Sequence, residues 1–235
     1  GVIQNEFPRE SSVAVTIGGV RTNFRMPDVM SIGLGGGSIV REQPDGTVTV
    51  GPDSVGFELT EKALVFGGDV LTATDIAVKL GMADIGDSSL VKDVPVELAE
   101  KALDAIRVLA EDAIDAMKLS SDDSDVILVG GGSVILPEEL AGAAQTIKPE
   151  HFGCANAIGS AISKVSGTLE TLINYDEIPR DQALADAKNA AIEMAVEAGA
   201  KRDTVEIIDV EDVPLQYYPG NTNRVKVKAA GELIS

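Results

Sequence analysis

The apolar positions of the chain recur with two different periods, which predict where helices and strands lie. Between residues 96 and 119 they recur every three or four positions, as expected for one amphipathic helix. Its predicted apolar face comprises Leu98, Ala102, Ile106, Leu109, Ala113 and Met117. Further helices are predicted at about 73–80 and 180–199, after the proline at 137, and in the small-residue segment "GCANAIGSAISKVSG" at 153–167.

Short β-branched segments predict strands near both ends of the chain. Pro44-Asp45-Gly46 has the composition of a tight turn, so residues 38–51 are predicted to form a hairpin. The segment "DVILVGGG" from Asp125 predicts a buried strand that runs into a glycine turn and then a helix. The other predicted strands cover residues 11–17, 19–24, 28–34, 204–213 and 223–233.

These elements and the composition predict an α/β protein. The chain has 235 residues, 44% of them hydrophobic, but aromatic residues are only 3% and tryptophan is absent. Its core is therefore built from Val, Ile, Leu and Ala, which suits packed helix and sheet layers. We expect three parts: a strand-rich part at 1–67, a helical insertion and connecting helix at 68–124, and an α/β part with C-terminal strands at 125–235.

The net charge of −19 narrows the choice of partners. Such a surface repels phosphate backbones and anionic lipid, so we expect neither nucleic acid nor a membrane as a partner. One cysteine, Cys154, excludes an internal disulfide, and neither a long apolar run nor a signal-peptide pattern occurs. We therefore expect a cytoplasmic protein. The start at "GVIQNEFP", without an initiator Met, suggests a processed piece or a fragment.

Two glycine triplets followed by serine are the main candidates for ligand binding. The first, Gly35 to Gly37 with Ser38, precedes a predicted hairpin rather than a helix, so it lacks the helix N-terminus that holds a pyrophosphate. It is interpreted as a sharp turn. The second, Gly130 to Gly132 with Ser133, lacks the Lys of a phosphate-binding loop. It is interpreted either as the wall of a nucleoside site or as a plain tight turn.

The order of elements resembles the second lobe of the sugar-kinase, actin and heat-shock-chaperone ATPase superfamily. The resemblance implies a ribonuclease-H-like lobe with a mixed sheet and flanking helices. It also implies that Gly130, Gly131, Gly132 and Ser133 pack against adenosine. A closer resemblance is to the A-type hydantoinase/5-oxoprolinase family, through "TIGGVRTNFRMPDVMSIGLGGGSIV", "DGTVTVGPDSVG", "LTATDIAVKLG", "HFGCANAIGSA" and "PLQYYPGNTNRVKVKAAGEL".

Members of that family use ATP and a divalent metal such as Mg²⁺ to open cyclic amides. The resemblance implies a small cyclic amide as substrate and a hydrolase activity. It leaves open whether a B-type partner subunit is required and whether the protein is a homo-oligomer. Relatives serve as acetone carboxylase subunits, so that chemistry is an alternative, as is a non-catalytic lobe that binds nucleotide or a partner chain. Both acidic Gly-Thr phosphate loops of the family are missing here. The chain therefore resembles a C-terminal lobe that is inactive alone, and its catalytic residues stay unassigned.

Three further residues have a functional and a structural interpretation. Asp75, in "TATDIAV", is a candidate metal ligand facing the cleft, but Thr74 and Asp75 also suit a helix N-cap. Asn156 and Gly159, in "ANAIGSA", are candidates for the nucleotide side of their helix, or for close packing of that helix on a sheet.

The remaining reactive or aromatic residues are expected to be structural. His151 and Cys154 are too few ligands for a zinc site. Ser38 and Ser133 have no histidine base that would make either a nucleophile. The segment "QYYPG" at 216–220 is expected to be a packed turn, with an interface anchor as the alternative.

Overall fold

The computed structural model describes residues 1–4, 7–10, 15–17, 19–22 and 26–234. The α-helices are α1 (Leu59–Lys62), α2 (Ala73–Lys79), α3 (Val96–Met117), α4 (Ala155–Ala161) and α5 (Arg180–Glu197). The strands are β1 (Ile3–Gln4), β2 (Phe7–Pro8), β3 (Val15–Ile17), β4 (Val20–Thr22), β5 (Ser38–Glu42), β6 (Val48–Ser54), β7 (Ser124–Ile127), β8 (Ala143–Ile147), β9 (Val165–Asn174), β10 (Glu206–Pro214) and β11 (Thr222–Gly231). The chain divides into two compact units, Gly1–Ala155 and Asn156–Ser235.

The first unit builds its core between helices α2 and α3 and the β5–β6 hairpin. Val40 and Val50 face each other across the antiparallel hairpin and are buried. They pack with Ile76 of α2 and Ile106 of α3, both with no exposed surface. The strands β7 and β8 pair in parallel, whereas β1 with β2 and β3 with β4 form antiparallel pairs.

The second unit is a three-stranded antiparallel sheet in the order β10-β11-β9, with α5 against one face. The buried positions of α5 are Ala183, Ala187, Ala191 and Ala195, at a strict four-residue spacing. Small side chains let the helix approach the sheet closely. At Gly167 of β9, a Cβ would lie 2.3 Å from the backbone nitrogen of Ala195. The core therefore depends on alanine and glycine at this contact.

Several predicted elements are confirmed. Helices form at Ala73–Lys79, Val96–Met117 and Arg180–Glu197, and the hairpin turns between β5 and β6 as expected. The C-terminal strands form as β10 and β11. In α3 the predicted Ala102 and Ile106 are buried, but Ala99 and Ala110 take the other buried positions in place of Leu98 and Leu109.

Other predicted elements are wrong, because tertiary pairing overrides local propensity. Residues 28–34 form no strand, and at their end the Leu34 N–H donates to the Ile32 carbonyl at 2.9 Å. The helix predicted after Pro137 is absent, since residues 143–147 pair with β7 instead. The helix predicted at 153–167 is limited to α4. The last three residues of the predicted segment, 165–167, begin β9 instead. The strand β7, predicted to be buried, is only partly so: Val126 is half-buried, and Ile127 is 54% exposed.

Parts of two predicted strands, at 11–14 and 23–24, lie outside the described residues. The α/β class is confirmed. The predicted boundaries after residues 67 and 124 stay predictions. In the part of the chain that the structure describes, no helix has the length and apolar character needed to cross a membrane.

Candidate functional site

The second glycine triplet forms a locked turn after β7. Gly130 has a φ of 81°, in the left-handed region that favours glycine. Its N–H donates to the carbonyl of Phe152 at 2.7 Å. A 3-10 turn then covers Gly131–Ile135. The Ser133 hydroxyl is buried and donates to the Gly130 carbonyl at 2.8 Å, so its side chain holds the turn closed.

The outer surface of this turn is open. A Cβ added at Gly130, Gly131 or Gly132 would meet no atom within 4 Å. Gly131 and Gly132 have no positive φ, so neither backbone strain nor local packing requires glycine there. Among the described residues, no group accepts a hydrogen bond from the N–H of Gly131 or Gly132. These are the first N–H groups of a helical turn, which have no partner within the turn itself.

In the first glycine triplet, Gly36 and Gly37 are closely packed, whereas a Cβ at Gly35 would meet no atom within 4 Å. A Cβ at Gly36 would lie 2.7 Å from the Thr74 hydroxyl, and one at Gly37 would lie 2.9 Å from the Ser54 hydroxyl. The Gly36 carbonyl accepts from both the N–H and the hydroxyl of Thr74, each at 3.0 Å. Ser38 is buried and accepts from the Gly35 N–H at 2.9 Å. This triplet is a packed turn, as the sequence predicts.

Asn156 and Gly159 lie on α4 and are both exposed. A Cβ at Gly159 would meet no atom within 4 Å, so this glycine does not serve the close helix packing that was the alternative interpretation. Both residues belong to the second unit, whereas the glycine turn belongs to the first. Their joint role in one nucleotide site stays a prediction.

Asp75 is buried, with no exposed surface, and its carboxylate is fully engaged. One oxygen accepts from the Val65 N–H at 2.8 Å. The other accepts from the N–H of Thr72 at 2.7 Å and from its hydroxyl at 2.8 Å. Thr72 is the N-cap of α2 and Asp75 its third residue, so the pair forms a capping box. The spacing Thr-x-x-Asp in "LTATD" already carries this information.

Among the described residues, Asp75 belongs to no cluster of metal-ligating side chains. Across residues 1–4, 7–10, 15–17, 19–22 and 26–234, no group of three or more His, Cys, Asp or Glu side chains is placed to hold a metal ion. The metal-ligand prediction for Asp75 stays a prediction.

The loop before α4, residues 148–154, contacts the glycine turn through a backbone hydrogen bond. Its Phe152 carbonyl accepts from Gly130, and the Lys148 ammonium lies 4.4 Å from the centre of the Phe152 ring. The sequence places no lysine within ten residues of the triplet, so this neighbour was missed. His151 has a φ of 63° and is exposed, and its carbonyl accepts from the thiol of Cys154 at 3.3 Å.

Two further features were not foreseen. Arg180 at the start of α5 pairs with Asp212 of β10 at 2.6 Å, and Asn223 of β11 donates to the same carboxylate at 2.5 Å. No local pattern links these three positions. Tyr217 in "QYYPG" is 96% exposed, so the expectation of a packed turn is wrong there.

Residues 2–84 match the family model described as hydantoinase/oxoprolinase. The predicted family resemblance is confirmed. The hydantoinase/oxoprolinase match includes the first triplet and Asp75 but ends before the second triplet. A search of curated proteins found no match.

Two solved structures are similar to this chain in fold. One is acetone carboxylase in a nucleotide-free structure, from work on ATP-dependent acetone carboxylation, at a TM-score of 0.60 and 15% identity. It matches 98% of this chain and 44% of its own. The other is the ATP-dependent caprolactamase from Pseudomonas jessenii, at a TM-score of 0.54 and 14% identity, over 93% of this chain and 42% of its own. The chain thus spans less than half the length of either protein.

Proposed function

We propose that this chain contributes the adenosine side of an ATP site in an enzyme of the hydantoinase/oxoprolinase type. The observation that carries the proposal is the open surface above Gly130, Gly131 and Gly132. Nothing within the chain requires glycine at Gly131 or Gly132, because neither has a positive φ and a Cβ at either position would meet no atom within 4 Å. A flat ligand lying directly on the backbone would supply the reason.

The chemistry of the turn suits a nucleoside. Bare backbone offers a flat surface for a base, and the two N–H groups without acceptors can donate to ring or ribose atoms. The Ser133 and Phe152 bonds hold the turn in place, so little ordering cost remains for binding. ATP would supply the phosphoryl group that activates an amide oxygen. The residues described here bind and orient its nucleoside end.

The proposed reaction of the complete protein is ATP-dependent opening of a cyclic amide. The family match of residues 2–84 and the fold shared with an ATP-dependent caprolactamase support it. A second candidate is an acetone carboxylase-type subunit, favoured by the higher TM-score of that structure, 0.60 against 0.54. A role for Mg²⁺ and for a B-type partner subunit is part of the proposal. Under either candidate this chain alone is expected to be inactive.

Calorimetric titration of the chain with adenosine and with ATP tests the proposed site. We expect both to bind weakly, and Gly131→Val to abolish both heats. The valine side chain would project into empty space, so the fold should be kept and circular dichroism should be unchanged. Gly153→Val, also facing empty space, is the matched control and should leave binding unchanged.

Equal binding by wild type and Gly131→Val would contradict the proposed site. Phosphate release by the complete protein, with cyclic amides or with acetone, separates the two reactions. Release with a cyclic amide alone would favour the hydrolase, and release with acetone alone would favour the carboxylase.

A further inference from the structure

One edge of the sheet in the second unit is formed by the long strand β9. The strand β9 has ten residues and pairs with β11 in a continuous register. In the sheet order β10-β11-β9, no other described strand pairs with β9. Its outer N–H and C=O groups thus form a row that another strand can extend.

The two edges of this sheet differ in how they are protected. Soluble proteins block strand edges with charges, prolines and bulges. The edge strand β10 has all three: a register shift between Ile207 and Asp209, Pro214 at its end, and four acidic residues along its length. The edge strand β9 has no proline, no lysine and no register shift, and Glu170 is its single charged residue. The β9 edge therefore lacks protection against strand pairing.

An apolar groove runs beside the same edge, between β9 and α5. It has a volume of about 260 Å³. Its walls are mostly apolar, with one charged side chain, and comprise Leu169, Thr171 and Ile173 of β9, Ala183, Asp186, Ala187 and Ala190 of α5, and Ile178 in the connection. Apolar walls next to a free strand edge suit an added strand with apolar residues at alternate positions.

We propose that β9 pairs antiparallel with β9 of a second copy, which gives a six-stranded sheet across a two-fold axis. Val165, Leu169 and Ile173 face α5, so the odd-numbered residues of β9 lie on the helix side of the sheet. If the α5 helices of both copies are to lie on the same face of the joined sheet, odd-numbered residues must lie opposite odd-numbered residues. Centring the axis on Leu169 places Val165 opposite the second copy's Ile173, and Thr168 opposite its Glu170. Centring it on Glu170 would oppose two carboxylates, which is unfavourable.

Self-pairing at β9 is favoured over self-pairing at the other edge by charge. The Leu169-centred register opposes no like charges, whereas β10 has Glu206, Asp209, Glu211 and Asp212 along its length. The ten residues of β9 give an edge about 33 Å long. Pairing along one such edge buries less surface than a large, permanent interface does, so we expect a dissociation constant in the micromolar range. Since each chain carries a net charge of −19, the dimer should strengthen as salt rises.

Sedimentation velocity of the chain over about 10 to 500 µM tests the proposal. Thr168→Lys would place a lysine opposite Glu170 of the second copy twice per dimer, and should tighten association about fivefold. Thr168→Glu would place like charges there and should weaken it about fivefold. Within one chain Thr168 lies opposite Lys228, so the effect of each substitution on folding has the opposite sign to its effect on association.

Val213→Lys and Val213→Glu are the matched controls. Val213 is 42% exposed and lies on the other edge strand, opposite Arg224. These variants change the net charge equally and should leave association within about twofold of wild type. A chain that stays monomeric at every concentration and salt overturns the proposal. So does a dimer that responds alike to both Thr168 variants, because it would use another surface.

Discussion

Replacing the Asp75 carboxylate should strongly lower the stability of the first unit, whether or not a ligand is bound. The carboxylate is buried and accepts hydrogen bonds from the Val65 N–H, the Thr72 N–H and the Thr72 hydroxyl. In Asp75→Asn, the remaining oxygen can still accept from Val65. The new amide group faces the Thr72 N–H, so donor meets donor and a buried N–H loses its partner.

The magnitude follows from these contacts. Hydrogen bonds to charged groups contribute about 1.5–3 kcal/mol each, and a buried N–H left without a partner costs about 1–3 kcal/mol. Asp75→Asn should therefore lower the free energy of unfolding by about 2–4 kcal/mol. Helix α2 has only seven residues, which is too short to persist without its cap.

The assay is chemical unfolding combined with hydrogen exchange read by mass spectrometry. Exchange should accelerate in peptides covering residues 59–91 and stay unchanged in the second unit. Asp104→Asn on α3 is the control, since its carboxylate is 68% exposed and pairs with Arg107 at the surface. It should change the free energy of unfolding by less than about 0.5 kcal/mol.

Equal effects of Asp75→Asn and Asp104→Asn would refute the capping role. A loss of Mg²⁺ binding in Asp75→Asn, at unchanged stability, would instead support the metal-ligand prediction.

Three further predictions follow from the packing and the charges. Gly36→Ala should cost about 1–3 kcal/mol in unfolding free energy, because its Cβ would lie 2.7 Å from the Thr74 hydroxyl, whereas Gly132→Ala should be near neutral. Gly167→Ala should cost about 3 kcal/mol by pushing α5 off the sheet, and a thermal scan that finds no loss would contradict the close contact. Burial raises the pKa of Asp212, but hydrogen bonds from Asn223 and Arg180 outweigh it and hold that pKa below its ordinary value. The ionised Asp212 carboxylate therefore stabilises the fold above its unfolded-state pKa, and this contribution is lost as the pH falls through its folded-state pKa. In Asp212→Asn the free energy of unfolding should accordingly fall less steeply with pH below about pH 4.

The sequence predicts elements whose determinants are local. Helices α3 and α5 have regular apolar spacing, and Pro44-Asp45-Gly46 determines the β5–β6 turn. The prediction failed at residues 143–147, which have helix-forming alanines but pair with β7 across the chain. Such pairing depends on a contact between distant segments that no local period encodes.

The candidate site shows the same division. The two glycine triplets are nearly identical as sequence, yet Gly36 and Gly37 pack against Thr74 and Ser54, whereas Gly131 and Gly132 face empty space. That difference arises from residues distant in sequence. The capping box has a local Thr-x-x-Asp spacing, but the sequence analysis placed the N-cap at Thr74 or Asp75, whereas the structure places it at Thr72 with Asp75 as the third helical residue.

Photoaffinity labelling with an azidoadenosine, followed by peptide mapping, tests the proposed adenosine site most directly. We expect labelling in the peptide that contains Gly130 to Ser133, with adenosine as a competitor that removes it. Labelling at Gly35 to Ser38 instead, or labelling that adenosine does not reduce, would contradict an adenosine site at the second triplet.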